Sequence, residues 1–514
     1  MDLSSELPDL PDPRIANDSA QAWGEADARL KALLTSGISP ARALLQWGPD
    51  LLRAGRADDA VLVFRTAAAL APQSAVAWTH LGIALERAGA SSGIIACFQR
   101  SLALAPLQPD TWLLLGMRRE KQGDLVRAEE DYRAALRLEP TSSVAWKCLG
   151  ALLYGKGDAP GAIHAFSACL EHGPPDAAVS ASLGRGLYEE GRLAESHAAY
   201  TAALAGAPDS AHYETMVRRT QFLCDLVDGE SVDRALENLA SRGPSPRRPS
   251  GHELSELFET ASAALTGFGH REAAYRLATR RVDLWPESAA ARYLLASLQG
   301  DPTLVRSPAE YIVENFDAFA HEFEAQLVGV LGYDVPEQIC KLLGEVAAGA
   351  HFADTLDAGC GTGLCGPLLR PRTDRLVGVD LSSKMLEHAR ARGVYDTLVC
   401  EELTTFLGRG EGQFDLIVAA DVLIYFGALR PLFSAAATAL RPGGLLTVST
   451  ERSESGDYSL GPSGRFAHSS RHVHAAARDG FETVVERQTT LRREMRERVG
   501  GHVFVFRRRE RLLT

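Results

Sequence analysis

The chain has 514 residues, more than one hydrophobic core organises, so two or three domains are expected. With 46% hydrophobic and 23% charged residues, its composition is that of an ordinary globular protein. A net charge of −12 argues against a nonspecific nucleic-acid binder, and Arg507-Arg508-Arg509 reads as the charged edge of a strand rather than a basic interface.

Residues 1–20, acidic and spaced by prolines, predict a disordered lead without the basic and apolar regions of a secretory signal. No apolar run in the chain approaches the length of a membrane span, so no membrane association is expected. The eight cysteines are scattered, with no CxxC pair and no ligand-like Cys/His spacing. That usage predicts reduced thiols and a cytoplasmic protein, with neither a disulfide frame nor a metal site.

A strict period follows. Pro72, Pro106, Pro140, Pro174 and Pro208 recur at one constant interval, and Gly55, Gly89, Gly123, Gly157 and Gly191 keep the same register. So do Phe64, Phe98, Tyr132, Phe166 and Tyr200, then Trp78, Trp112 and Trp146, and Gly82, Gly116, Gly150 and Gly184. These columns resemble the tetratricopeptide repeat (TPR), whose period is about 34 residues, and the resemblance implies helix hairpins stacked into a superhelix. In each, one glycine permits close helix packing, another the reversal, the aromatic fills the gap and the proline ends the second helix or starts the next. Clear units cover about residues 39–208, and Gly269 with Pro286 marks a divergent one within a helical domain spanning 21–300. The stretch Ser241-Arg-Gly-Pro-Ser-Pro-Arg-Arg-Pro-Ser250 reads as a flexible loop. The resemblance implies a protein or peptide partner on the concave face; dimerisation, as a homodimer, stays open beside it. The tryptophans belong to the fold, because they repeat with it.

A linker at 301–308 precedes a change of pattern at 309–514. Short apolar runs at Thr355–Ala358, Leu376–Asp380, Thr397–Cys400, Phe414–Ala419 and Leu445–Thr450 alternate with helical stretches, which predicts a parallel sheet flanked by helices. Runs at Phe481–Arg492 and His502–Arg508 predict an antiparallel end.

The first run enters Asp357-Ala-Gly-Cys-Gly-Thr-Gly363, and the second run ends on the acid Asp380. Gly361-Thr-Gly-Leu-Cys-Gly366 alone satisfies a dinucleotide fingerprint. The carboxylate of Asp357 disfavours a pyrophosphate there and suits a cationic ligand. An acid followed by GxGxG, with Leu440-Arg-Pro-Gly-Gly444 downstream, resembles the class I S-adenosylmethionine (SAM)-dependent methyltransferases. The fold implied is a Rossmann-like seven-stranded α/β domain behind an all-α TPR superhelix. Asn315-Phe-Asp-Ala-Phe-Ala-His-Glu-Phe-Glu324, Leu331-Gly-Tyr-Asp-Val-Pro336 and Gly464-Arg-Phe-Ala-His468-Ser extend the likeness to bacterial TPR-containing methyltransferases. Phe319 stands where that lead often carries tyrosine.

The resemblance places SAM on Asp357, Gly359, Cys360, Gly361 and Gly363, with Asp380 and its neighbour Leu381 at the ribose. Glu402, with Glu401 second, would accept the adenine amino group. Asp421, after the fourth strand, would orient either the methionine end of SAM or the acceptor, and Tyr425 would line the acceptor pocket. Arg465 and His468, in the glycine-rich connection after the fifth strand, are candidates for an anion clamp and a general base. Structural roles compete in each case: helix capping for Asp421, core packing for Tyr425, loop organisation for Arg465 and His468, and small-residue packing for Cys360 and Cys365. No metal site is expected. The reading is a methyltransferase acting on an oxygen or nitrogen acceptor, with the repeats recruiting or positioning a protein or peptide. A small-molecule enzyme with a docking or dimerising array, and a non-catalytic scaffold with a vestigial SAM domain, are the alternatives.

Overall fold

The computed structural model describes residues 10, 12, 23, 27–90, 92–242, 250–301, 303–320, 333–454, 456–494 and 497–510. Most of the 1–20 lead, of the Ser241–Ser250 loop and of the Asn315–Pro336 stretch, together with the side chain of Phe319, lies outside the described residues. Two compact units divide the chain, Met1–Val217 and Arg218–Thr514. The 301–308 segment falls inside the second unit.

In the first unit, α1 (Ala28–Thr35) precedes five helix hairpins. They are α2 (Pro40–Arg53) with α3 (Ala57–Leu70), α4 (Ala75–Arg87) with α5 (Ile94–Leu104), and α6 (Pro109–Lys121) with α7 (Leu125–Leu138). Next come α8 (Ser143–Gly155) with α9 (Ala159–His172), and α10 (Ala177–Glu189) with α11 (Leu193–Gly206). The sequence columns explain the hairpins. A Cβ placed on Gly82 would lie 2.5 Å from the ring of Phe98, and one on Gly116 or Gly150 would lie 2.7 Å from Tyr132 or Phe166. Only glycine therefore lets the second helix bring its aromatic against the first. At the reversal, Gly55, Gly89, Gly123, Gly157 and Gly191 have φ between 68° and 80°, a left-handed conformation that costs other residues about 1–2 kcal/mol. Each proline of the period stands two residues past the end of a second helix. Trp78, Trp112 and Trp146 donate their indole N–H to the carbonyls of Pro72, Pro106 and Pro140 at 2.8–2.9 Å. The tryptophans thus tie the connections between hairpins, a structural role the period predicts.

Helices continue as α12 (Ala211–Val227), α13 (Val232–Arg242), α14 (Gly251–Gly267), α15 (Arg271–Leu284) and α16 (Ala289–Gln299). Where the sequence suggests a divergent repeat, α14 and α15 form a hairpin around Gly269, whose φ is 79°. Beyond it lie α17 (Ala309–Phe319) and α18 (Val335–Val346).

The sheet domain then runs β1 (Phe352–Ala358), α19 (Gly366–Leu369), β2 (Thr373–Asp380), α20 (Ser383–Ala391), β3 (Thr397–Cys400), α21 (Leu403–Leu407) and β4 (Phe414–Ala419). It continues through α22 (Arg430–Ala439), β5 (Leu440–Arg452), β6 (Tyr458–Leu460), β7 (Phe466–His468), α23 (Ser470–Ala477), β8 (Phe481–Glu494) and β9 (Glu497–Arg508). Seven strands lie in the order β3-β2-β1-β4-β5-β9-β8, with β1 to β5 parallel and β9 antiparallel to both its neighbours, β5 and β8. Two further strands extend this seven-stranded order: the hairpin of β6 and β7 joins the carboxyl end of β5 through Glu451 and Arg452. Strands this short leave no periodic trace in a sequence.

Crossover connections align the carboxyl ends of β1 to β5 along one edge, where open α/β sheets bind ligands. Leu356, Val377, Ile417, Leu446, Phe504 and Phe506 fill the core below. At the opposite edge, Arg441 donates to Asp415 and Asp354, each at 2.7 Å. The Arg-Pro-Gly-Gly turn is thus a clasp across three strands, away from the chemistry.

Candidate active site

The glycine turn grows out of β1 and is pinned to β2. Gly359 and Cys360 donate their N–H groups to the Val379 carbonyl at 2.8 and 3.0 Å. Asp380 in turn accepts from the N–H groups of Gly361 and Ser382, each at 2.9 Å. Gly359, Gly361 and Gly363 all have positive φ, which fits the turn to glycine. A Cβ on Gly361 would meet nothing within 4 Å, so the turn presents bare backbone to open space there.

Under the turn lies a pairing that spacing does not reveal. Tyr395, from the loop after α20, donates its hydroxyl to Asp357 at 2.6 Å. Its ring fits a niche made by three glycines, since a Cβ on Gly363, Gly366 or Gly378 would come within 3.1 Å of it. Asp357 itself is 1% exposed. Burial pushes it up to about 7; the Tyr395 hydroxyl opposes that rise and Asp380 adds to it. Burial also raises Asp380, against the backbone N–H groups it accepts. The side chain of Cys360 is buried against Gly378, and burial raises the thiols of Cys360 and Cys365 well above their ordinary range. Cys360 therefore offers a ligand only its backbone.

The adenine assignment changes. Glu402 caps α21 through the N–H groups of Thr404 and Thr405, at 2.8 and 2.7 Å. It also accepts from the Thr405 hydroxyl at 2.9 Å and from Arg306 at 2.6 Å. Burial alone would raise this carboxyl, but those donors hold it at about 2. Four bonds fill the acceptor positions of a carboxylate, which leaves none for an amino group. Glu401 has one oxygen on Arg409 at 2.6 Å and keeps acceptor capacity on the other.

Asp421 follows β4 and, among the described residues, is the non-glycine residue with positive φ, at 54°. Its N–H donates to the Ser449 hydroxyl at 2.8 Å, and Arg492 lies 3.5 Å from its carboxylate. Arg492 is 2% exposed and also pairs with Glu451. Sequence reasoning missed this arginine, which sits in a polar run of β8; its place at a register shift beside Thr490 turns it inward. Next to Asp421, Val422 packs on the first glycine of the turn, where a Cβ on Gly359 would strike it. Tyr333 is buried within electrostatic range of Asp357, Asp421 and Arg492.

Tyr425 packs in an apolar cluster with Tyr293, Tyr311, Phe316 and Leu381. Tyr293 donates to the Gly464 carbonyl at 2.9 Å, so α16 supports the loop that carries Arg465. Arg465 is half-buried and acts electrostatically on Tyr311, Tyr425 and Asp421. His468 is the residue the structure removes from the expected site. It is 0% exposed and its Nε2 lies 2.6 Å from the Phe426 carbonyl. Burial depresses it to about 4, and its ring stacks on His472. A histidine so held braces the loop; it is not a general base for an acceptor.

The methyltransferase domain family matches residues 356–448, and tetratricopeptide repeat families match 45–93, 109–152 and 149–211. The human methyltransferase-like protein 27 is 36% identical over 147 residues, 27% of this chain and 58% of that protein. The ubiquinone biosynthesis O-methyltransferase of Idiomarina loihiensis is 30% identical over 99 residues, 18% of this chain and 41% of that one. The chain therefore spans about half the length of the curated relatives it matches. Among solved structures, the N-methyltransferase NodS of Bradyrhizobium japonicum aligns at 18% identity over 39% of this chain and 99% of its own, with a TM-score of 0.33. The chain carries tetratricopeptide repeats and a class I SAM-dependent methyltransferase domain.

The residues present fit such a cofactor. Asp357 is buried and Asp380 half-buried; their partners are neutral, a phenol and backbone N–H groups, and desolvation raises both. A cationic ligand relieves that desolvation, whereas a pyrophosphate adds charge of the same sign.

Proposed function

We propose that the protein transfers a methyl group from SAM to an oxygen or nitrogen acceptor, and that its repeats recruit or position a protein or peptide carrying it. The observation that supports the reading most is the glycine turn, open at Gly361 and bordered by the desolvated acids Asp357, Asp380 and Asp421. When bound, SAM supplies an electrophilic methyl group on a sulfonium. This chain then has to bind, orient and exclude water. Asp380 and the backbone of Gly359, Gly361 and Gly363 would hold the nucleoside, with Glu401 at the base. Asp421 would face the charged end, and Tyr425 and its aromatic neighbours would keep water from the acceptor side. With His468 buried, Asp421 is the acid placed to take a proton from an acceptor that arrives protonated.

The repeat array offers a recruitment surface of its own. Between α8 and α10 lies a groove of about 270 Å³ lined by Lys147, Ala151, Tyr154, Ala178, Ser182 and Arg185. An apolar floor is flanked by two cations held in ion pairs, Lys147 with Asp176 at 2.7 Å and Arg185 with Glu189 at 3.2 Å, and a carboxylate-bearing peptide segment would have to displace those acids. A second reading, a small-molecule acceptor with the array serving docking, draws support from the name of the ubiquinone biosynthesis relative. Incubating the full chain with labelled SAM and a cell lysate separates the two. Labelled polypeptide that disappears in a Lys147→Glu, Arg185→Glu variant with normal SAM binding supports recruitment. Label found only in small molecules, unaffected by that variant, overturns it. A wild-type chain that binds no SAM leaves the scaffold reading.

A further inference from the structure

Resting on the SAM reading above, the geometry points to Arg492 as a positioning residue, one that holds Asp421 in its left-handed turn and fixes the negative wall against which a cationic ligand docks. Aspartate tolerates a φ of 54° better than most non-glycine residues, and its surroundings hold it there. Here two elements do so. Ser449 of β5 accepts the Asp421 N–H at 2.8 Å and its hydroxyl lies 3.1 Å from the carboxylate. Arg492 of β8, sequestered from solvent, lies 3.5 Å from that carboxylate and bonds Glu451 with its other terminal nitrogen. Asp421 keeps 17% exposure while Arg492 keeps 2%, so the carboxylate is the more accessible partner of the pair.

The charged and titratable groups around Asp421 are few and their effects have opposite signs. Burial raises its carboxyl; Arg492 lowers it, Glu451 raises it, and the Ser449 hydroxyl and Arg465 lower it. Tyr333 and Tyr425 complete the surroundings, each itself raised by burial. Arg492 therefore keeps Asp421 ionised to lower pH than burial alone permits, and Glu451 competes for the same arginine. Asp357 answers to Tyr395 and Asp380 instead, so its titration is separable.

The test is calorimetric titration of SAM into the full chain from about pH 5.5 to 8, for wild type, Arg492→Gln, Arg492→Lys and Glu451→Gln. A carboxylate that attracts a cation loses affinity as pH falls through its pKa. Arg492→Gln should move that loss about one pH unit upward and weaken binding roughly 10-fold near neutrality. Glu451→Gln should move it downward, and Arg492→Lys should restore most of the wild-type profile. Opposite displacements cannot come from loosened packing, which weakens binding at every pH. If both variants shift the profile the same way, or neither shifts it, the assignment fails. Where Arg492→Gln does not fold, Glu451→Gln against wild type still decides: a profile unshifted or moved upward overturns the assignment. Wild-type protein that binds no SAM sinks the methyltransferase reading, an outcome distinct from wild-type binding with unshifted variants.

Discussion

In the repeat array, Gly82, Gly116, Gly150 and Gly184 each make room for an aromatic ring on the second helix of the same hairpin. In the sheet domain, Gly363 makes room for Tyr395, which lies beyond β2 and α20, and Gly359 for Val422, which lies beyond β4. The residue type and the physical device are the same, but the reach differs. An array built on local contacts absorbs a bad substitution within one hairpin and its neighbours, as repeat proteins do. A turn built on distant contacts transmits the same insult to the loops before β3 and after β4, which are the walls of the candidate site.

Two matched substitutions break or sharpen that contrast. Gly363→Ala combines a positive φ of 86° with overlap of the Tyr395 ring, and should cost roughly 3 kcal/mol of stability together with SAM affinity. Gly116→Ala meets the Tyr132 ring in a helical backbone and should cost about 1–3 kcal/mol in urea unfolding while SAM affinity stays unchanged. Equal effects of the two on SAM affinity would show that the array and the site are not energetically separate. Next in size, Asp380→Ala removes an acceptor of two backbone N–H groups at the end of β2, beside the glycine turn. Calorimetry should show SAM binding weakened up to about 100-fold, the scale of a charged hydrogen-bonded contact. Unchanged affinity would remove Asp380 from the site.

The same difference in reach explains what the residues reveal before folding. Five columns at a fixed period announce the hairpins, because every structural role recurs in register, down to the tryptophan that reaches back to the proline before its helix. Strands β3 and β4 fall at the bounds their apolar runs predict, and the glycine turn with Asp380 is visible as a motif. What stays hidden is made by pairing across the sheet. The two last apolar runs announce an antiparallel end, but nothing near Arg492 says that β9 lies beside β5 and that a register shift aims one arginine of a polar run at Asp421. Nor does spacing show Tyr395 closing on Asp357, Glu402 spending its oxygens on a helix cap, or His468 sealed against the Phe426 carbonyl.

The Asp357–Tyr395 pair gives a smaller, signed effect. Because burial raises Asp357 to about 7, the folded state binds its proton more tightly than the unfolded chain does. Its contribution to stability is therefore present below about pH 4 and lost as pH rises toward about 7, with a slope of at most about 1.4 kcal/mol per pH unit. Asp357→Asn should flatten that part of the stability profile. Tyr395→Phe removes the hydroxyl that opposes the rise, so the window should extend to higher pH and SAM binding should weaken about 10-fold at neutrality. A Tyr395→Phe profile superimposable on wild type would mean that the hydroxyl does not govern the acid.

The smallest effect belongs to the array and tests its independence most cleanly. Trp146 donates to the Pro140 carbonyl at 2.8 Å from a partly exposed ring, across the connection between α7 and α8. Trp146→Phe keeps an aromatic ring in place but deletes the donor, which should cost about 1 kcal/mol, the net worth of one hydrogen bond. Because Pro140 is exposed, water can replace the lost donor, so the loss should not exceed that figure. In urea unfolding the midpoint of the array should fall slightly, while calorimetric SAM affinity and its pH profile stay fixed. A change in SAM affinity from so peripheral a bond would mean that strain in one hairpin travels to the sheet domain, and the local character assigned to the array would have to be abandoned.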